Sequence, residues 1–284
     1  MNKLVLVLLI VFFSKAIFGQ EAASLFDKKN MEYKGSKSEQ AKLLLRKVGI
    51  FGKKKENQAT IDTVFLALLD SPLNFTVSEL RRYLLTIKIS ENLIGGNLDG
   101  EISWIYLNGK KVCARYFVIH DVSAPVYKNH FPENINDTTW NYNKPSIWKK
   151  KVAHTYLTRT GGVNSVADFS EGIRATKFEL KVLGKQSRGL FIHIELIQPR
   201  VYPPGTSVSA PIAPDPGFTQ IQYRMLALLY ICASVRKGEW LVPAYHAIID
   251  EGLDDGHDDP QRFDLLKFTN EIIVLTRELE LIKN

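Results

Sequence analysis

The chain has 284 residues, 45% of them hydrophobic, and a formal net charge of +7 at pH 7. Its two cysteines, Cys113 and Cys232, are too few for a disulfide scaffold and have no metal-ligand spacing; both sit in apolar runs and read as buried thiols unless the fold makes them neighbours. The lysine runs Lys53-Lys-Lys55 and Lys149-Lys-Lys151 raise the question of a nucleic-acid partner, but the export signal described next argues for solvated basic faces that concentrate an anionic wall polymer.

Met1-Asn-Lys3 is a short positive start, residues 4–13 are ten unbroken apolar residues, and residues 14–19 form a short region before Gln20. This is the pattern of a secretory signal peptide, with removal expected after Gly19. Ten residues are too few to cross a hydrocarbon core, which takes about 20, and no second apolar run of that length follows. No cysteine stands near the cleavage point to carry a lipid. The expectation is an exported protein, periplasmic or secreted, with no stable membrane anchor. Losing Lys3 and Lys15 with the signal takes the charge from +7 to +5.

Residues 20–97 read as a helical N-terminal segment. The spacing of Leu43, Leu44 and Val48 predicts a helix over 40–48, a second is expected over 61–69 and a third over 76–87, where Thr76 and Glu79 match a capping box. Without a repeat or a binding motif, the segment is expected to cap a catalytic domain over 98–284, with the boundary at Gly95-Gly-Asn97; a small wall-binding module is the alternative.

From Glu101 the pattern turns to β. Strands over 101–107 and 111–119 flank Asn108-Gly109, a strong hairpin signal. On the second, Tyr116, Val118 and His120 share one face, with Cys113, Arg115, Phe117 and Ile119 on the other. The polar, aromatic loop from His120 to Trp148 is a natural groove wall. A strand over 152–158 carries His154 near its start. Over 188–197, alternation puts Ile192, Ile194 and Leu196 on a buried face and His193 with Glu195 on the other. A carboxylate on a central strand is costly unless it is paired or used.

Six prolines between residues 199 and 217 predict a rigid, irregular loop. Thr219 and Gln222 form another capping box, opening a helix that Arg236-Lys-Gly238 closes. Its stripe of Ile221, Met225, Leu228, Leu229, Cys232 and Val235 is expected in the core. A final helix over 263–281 should turn Leu266, Ile273 and Leu279 inward. Between these helices, residues 246–264 gather two of the chain's six histidines and a run of carboxylates in one Gly-punctuated loop. Imidazole nitrogen and carboxylate oxygen suit zinc, and a catalytic zinc needs three protein ligands, leaving one position for water. The loop offers two donors. His120, at a strand exit, is the choice for the remaining one.

The ordered set Val118-Ile-His-Asp121, Ala153-His-Thr-Tyr-Leu-Thr-Arg-Thr-Gly161, Ile192-His-Ile-Glu-Leu196, Thr219-Gln-Ile-Gln-Tyr-Arg-Met-Leu226, the His246 loop and Asp259-Pro-Gln-Arg-Phe-Asp264 resembles the zinc-dependent N-acetylmuramoyl-L-alanine amidases of the type 2 amidase and peptidoglycan-recognition superfamily. The resemblance runs over about residues 113–268. It implies an α/β (α+β) fold, a central mixed β-sheet flanked by helices. It also implies zinc held by His120, His246 and Asp259, and Glu195 as the catalytic acid/base. The substrate would be peptidoglycan or a muropeptide, cut at the amide between N-acetylmuramic acid and L-alanine. His154 falls where much of the family has a histidine and, with His193, is expected to contact substrate; an ordinary hydrogen-bonded histidine is the other reading of His154.

Two positions depart from the family pattern. Ala153 stands where some branches carry a mechanistic tyrosine. His257 stands two residues before the third ligand, where a lysine commonly stabilises the oxyanion; a protonated His257 would take that catalytic role, with activity falling as pH rises past an ordinary imidazole pKa of about 6.5. Asp254, Asp255, His257 and Asp258 are also capable donors, and if His257 binds zinc, Asp259 becomes the residue that orients it. Two other function classes stay open, a non-cleaving peptidoglycan-binding protein of the same fold and a zinc peptidase acting on stem peptides.

Overall fold

Two short, almost wholly apolar runs, Tyr116–Asp121 and Phe191–Leu196, form the centre of the molecule, side by side and parallel. The computed structural model describes residues 22–54, 56–205 and 210–282; the expected signal peptide over 1–19 lies outside the described residues. In chain order the elements are β1 (Phe26–Asp27), β2 (Glu32–Tyr33), α1 (Lys37–Leu44), α2 (Thr63–Asp70), α3 (Val77–Thr86), β3 (Trp104–Leu107), β4 (Lys110–Cys113), β5 (Tyr116–Asp121) and β6 (Val126–Lys128). Then follow β7 (Thr155–Leu157), β8 (Val163–Ser165), β9 (Phe191–Leu196), β10 (Arg200–Tyr202), α4 (Gln220–Lys237), β11 (Val242–Tyr245), α5 (His246–Ile249) and α6 (Leu265–Leu281). Among the described residues no helix is long and apolar enough to cross a membrane.

The main sheet is mixed, in the order β11-β5-β9-β7-β8, with only the edge strand β8 antiparallel to its neighbour. Both strands are buried on both faces, as parallel strands in such sheets are, and the polar residues His120 and Asp121 on β5 and His193 and Glu195 on β9 interrupt otherwise apolar runs. One face, carrying Phe117 and Ile119, meets α4, where the Tyr230 ring stands edge-on to Phe117 at 5.3 Å. The opposite face, carrying Tyr116 and Phe191, is covered by the N-terminal segment: Tyr33 N–H donates to the Tyr116 hydroxyl at 2.7 Å, which donates in turn to Gln40 Oε1 at 3.1 Å. Helices therefore flank a central mixed sheet, as expected.

The three N-terminal helices lie close to their predicted positions, and the Thr76/Glu79 capping box is formed. Their apolar residues, including Leu44, Phe65 and Leu84, join the same core as the sheet. Residues 95–97 are no free linker, since the Gly95 carbonyl accepts from Phe169 N–H and from Arg236.

Several expectations need correction. The strand predicted over 111–119 is two strands: β4 closes the Asn108-Gly109 hairpin with β3, then Ala114 and Arg115 carry the chain into the central sheet as β5. Gly189 permits this crossing, because a Cβ there would sit 2.4 Å from the Trp104 carbonyl oxygen. The proline-rich stretch does hold regular structure, β10, paired in parallel with β6. On α4, Ile221 is exposed while 14 of the 18 residues are buried, because the sheet, α3 and α6 surround it and leave no polar face. On α6, Leu266 is exposed, and Phe268, Ile272, Leu275 and Leu279 make the core contact; each such burial is worth about 1.5–3 kcal/mol. Cys113 and Cys232 are both free thiols.

Candidate metal centre

Parallel strands bring chemistry to their carboxyl ends, where the backbone fans out and loops take over. His120 is the fifth residue of β5 and lies directly beside Glu195 in the register with β9. Tyr245, the last residue of β11, pairs with Ile119, so His246 emerges next to His120. Asp259 arrives from the following loop, fixed by Ala247 N–H donating to its carbonyl at 2.9 Å and by Asp121 N–H donating to its Oδ2 at 3.1 Å. Asp121 is held in turn by Arg200, whose Nη2 donates to both carboxylate oxygens at 2.8 and 2.9 Å. Arg200 and Asp121 are both buried.

His120, His246 and Asp259 converge, and all three are buried. The two Nδ1 atoms are 2.9 Å apart; Asp259 Oδ2 is 3.2 Å from His246 Nδ1 and 3.8 Å from His120 Nδ1. A tetrahedral zinc with bonds of about 2.0–2.2 Å spaces its ligands ~3.3–3.6 Å apart, and the three separations straddle that value. The far nitrogen of each imidazole also faces a polar group. His246 Nε2 lies 2.9 Å from Asp250 Oδ2, and His120 Nε2 is 3.0 Å from His193 Nδ1. A proton on each Nε2 leaves both Nδ1 lone pairs aimed at one point beside a carboxylate, a donor set of two nitrogens and one oxygen that fits a divalent cation.

Charge in the cluster follows the same geometry. Burial and the nearby His246 and His193 hold the His120 imidazole well below its ordinary value. Burial acts the same way on His246, but the Asp259 charge, with Asp250, outweighs it and raises that pKa to about 10. Asp259 answers in the opposite direction: burial alone would raise it, yet the His246 charge keeps it well below the usual carboxylate range. Glu195 is raised to about 8 by burial first and by the Asp259 charge second, and its Oε2 has no hydrogen-bond partner among the described residues.

A groove of about 840 Å³ opens over this floor. Glu195, His246 and Asp259 lie at its base, with Trp148 and Tyr156 on the aromatic wall and Lys149, Lys150, Lys151 and Arg174 supplying positive charge. The wall includes the loop after His120 read from sequence; the described residues of the proline-rich loop stand outside the groove lining and instead contribute Arg200 from behind. His257 is at the rim, half-exposed, with its ring stacked on His246 at 4.1 Å and its Nδ1 3.5 Å from Asp259 Oδ1. The buried donor beside His120 and His246 is therefore Asp259. His257 forms a second grouping with His246 and Asp250. Asp254 and Asp255 are exposed, and Asp258 turns toward Gln261 and Arg200.

The structure places His154 and His193 elsewhere than substrate contact requires. Both are fully buried and neither lines the groove. His154 Nε2 bonds the Glu171 carbonyl at 2.9 Å and its Nδ1 accepts from His193 N–H at 3.0 Å, so both ring nitrogens are used inside the protein. His193 backs His120. Sequence reading missed Asp250, Glu179, Arg200 and Tyr156. Asp250 carried a signal in its four-residue spacing from His246, and Tyr156 one in its register opposite Glu195 on β7 and β9. Glu179 and Arg200 reach the site only through the fold.

No protein-family model matches the chain, and no curated protein matches it significantly. Among solved structures it is similar to the crystal structure of a selenomethionine derivative of AmpD, at 18% identity and a TM-score of 0.34, over 57% of this chain and 86% of that one. A likeness of that size carries no assignment of family.

Proposed function

We propose that the chain is an exported, zinc-dependent amide hydrolase that cleaves the bond between N-acetylmuramic acid and L-alanine in peptidoglycan or muropeptides. The observation that carries the chemistry is the meeting of His120 Nδ1, His246 Nδ1 and Asp259 Oδ2 at the base of an open groove beside Glu195, whose Oε2 has no hydrogen-bond partner among the described residues. The choice of bond rests on the ordered motifs that resemble the amidase superfamily.

When bound, zinc supplies Lewis acidity, activating water and polarising a carbonyl. His120, His246 and Asp259 would hold it. Glu195 accepts the water proton at its free Oε2 and delivers it to the leaving nitrogen. The Asp259 charge that helps keep Glu195 protonated is offset once a cation sits against Asp259, which brings Glu195 toward the neutral range where a general base works. His257 at the rim stands within reach of charge developing on the scissile oxygen. The lysines and Arg174 draw in anionic substrate.

The test is mass spectrometry of muropeptides and intact sacculi after incubation with the mature protein, with zinc, with chelator and with His246→Ala. Free stem peptides beginning at L-alanine, lost with chelator and in the variant, are the expected result. Cleavage inside the peptide would move the protein to the peptidase class, and wall binding without cleavage would sink the hydrolase reading.

A further inference from the structure

Behind the candidate metal centre runs a buried polar chain that neither holds the cation nor reaches the groove. His120 Nε2 is 3.0 Å from His193 Nδ1, and His193 Nε2 is 3.1 Å from Glu179 Oε2. His193 and Glu179 are completely buried; their 3.1 Å approach is an ion-pair contact, and His193 Nε2 makes no hydrogen bond among the described residues. Two buried polar side chains in series under an apolar sheet are costly unless they are satisfied and used.

The carboxylate is fixed before it meets the histidine. Glu179 Oε2 accepts from Ala175 N–H, Thr176 N–H and the Thr176 hydroxyl at 3.1, 3.1 and 3.0 Å, while Thr176 Oγ1 accepts from Glu179 N–H at 3.1 Å. This reciprocal cap opens the π-helical turn Phe178–Leu183. The same turn donates Lys177 N–H and Phe178 N–H to Asp250 at 3.0 and 2.9 Å, and Asp250 is the carboxylate behind His246. One turn of chain thus braces both histidines.

We propose that Glu179 and His193 are positioning residues that keep the proton of His120 on Nε2, so that its Nδ1 lone pair is always presented to the cation. This rests on the zinc reading above. A carboxylate is acceptor-only, so its charge 3.1 Å away favours the proton of His193 on Nε2; His193 Nδ1 is then an acceptor and takes the proton of His120 Nε2. The order of donors along the chain is set by its one end. Partners behind metal-ligating histidines commonly fix ring tautomer in this way.

The design has a clear reversal. In Glu179→Leu the acceptor is gone and nothing holds the proton on His193 Nε2, so His193 can donate from Nδ1 and force the His120 proton onto Nδ1, the ligand atom. In Glu179→Gln the amide oxygen can take the place of Oε2 against both the cap and His193, so the wild-type order is kept. Removing outer partners of metal ligands typically costs about 10- to 100-fold in affinity, and that weakening of zinc affinity is expected in Glu179→Leu. His193→Gln, whose amide oxygen still accepts from His120 Nε2–H, should retain more affinity than His193→Leu.

Two readouts test this, with folding of every variant checked by circular dichroism and thermal denaturation. Nitrogen-15 shifts of His120 in chelator-treated protein should show the Nε2–H tautomer in the wild type and in Glu179→Gln, and the Nδ1–H tautomer in Glu179→Leu. Zinc dissociation constants should rise in Glu179→Leu and His193→Leu and stay near the wild-type value in Glu179→Gln. A folded Glu179→Leu that keeps the wild-type tautomer, or binds zinc as tightly as the wild type, overturns the proposal while leaving the zinc reading intact. A wild type that binds no zinc overturns both, and that outcome is distinguished by the wild-type titration alone.

Discussion

Loading the cation site has to expel the proton that holds His246 against Asp259. With the His246 pKa raised to about 10, chiefly by the Asp259 charge acting against burial, and His120 held neutral, the metal-free site carries that proton at neutral pH. A cation competes with it for Nδ1. Apparent zinc affinity should therefore climb about tenfold per pH unit below about pH 10, which from about pH 7 to 9 is ~100-fold, or ~2.7 kcal/mol. Calorimetric titration of chelator-treated protein, in buffers of different ionisation enthalpy and with a competing chelator setting free zinc, measures both the affinity and the protons released. Asp250→Asn removes one support of the raised pKa without touching a donor atom, so its pH dependence should move to lower pH. An affinity flat across this window, with no proton released, would refute the assignment of His246 Nδ1 as a ligand. Stability follows the same sign. The folded state holds the His246 proton more tightly than the unfolded chain, so that contribution is complete below about pH 6.5 and is lost as pH rises through about 10; Glu195, an acid raised to about 8, pushes in the same direction from about pH 4.5 upward. The Tm of chelator-treated protein should fall from neutral to alkaline pH, and the zinc-loaded protein should fall less.

Glu195→Gln should keep zinc stoichiometry and lower kcat by about 10²- to 10⁴-fold; a loss under about tenfold would take Glu195 out of the proton path. Arg200→Met strips a buried aspartate of its cation, a change worth about 3–5 kcal/mol, partly relieved because Ser123 and Gln261 also bond Asp121. Urea unfolding should show the loss and zinc titration a weaker site, since Asp121 N–H fixes Asp259; an unchanged midpoint and unchanged zinc affinity would contradict this. Replacing Lys149 and Lys150 with alanine should lower kcat/KM on anionic muropeptides at low salt and progressively less as salt screens the groove. A loss independent of salt would point to packing against Trp148 and Tyr156 instead.

The sequence alone determined the local pieces. Ser, Thr and Gln or Glu spacing set the helix starts at Thr76 and Thr219, Asn108-Gly109 set the hairpin, and period-two alternation correctly placed His193 with Glu195 and Val118 with His120. The donor-rich loop ending in Asp259 was legible because so many carboxylates and imidazoles in one short stretch have few other uses. Alternation says which side chains share a face, however, and nothing about what covers it. The N-terminal segment and the turn Phe178–Leu183 close that face as far as His193, leaving only its carboxyl end, with Glu195, open to the groove, so one of two neighbours on the same strand faces substrate and the other is sealed behind a ligand. Tertiary packing likewise surrounded α4 so completely that its apolar stripe lost meaning, and it brought Glu179, Arg200 and Asp250 into service from separate parts of the chain. The roles of Glu179 and Arg200 depend on through-space distances of about 3 Å, which no spacing along a sequence encodes.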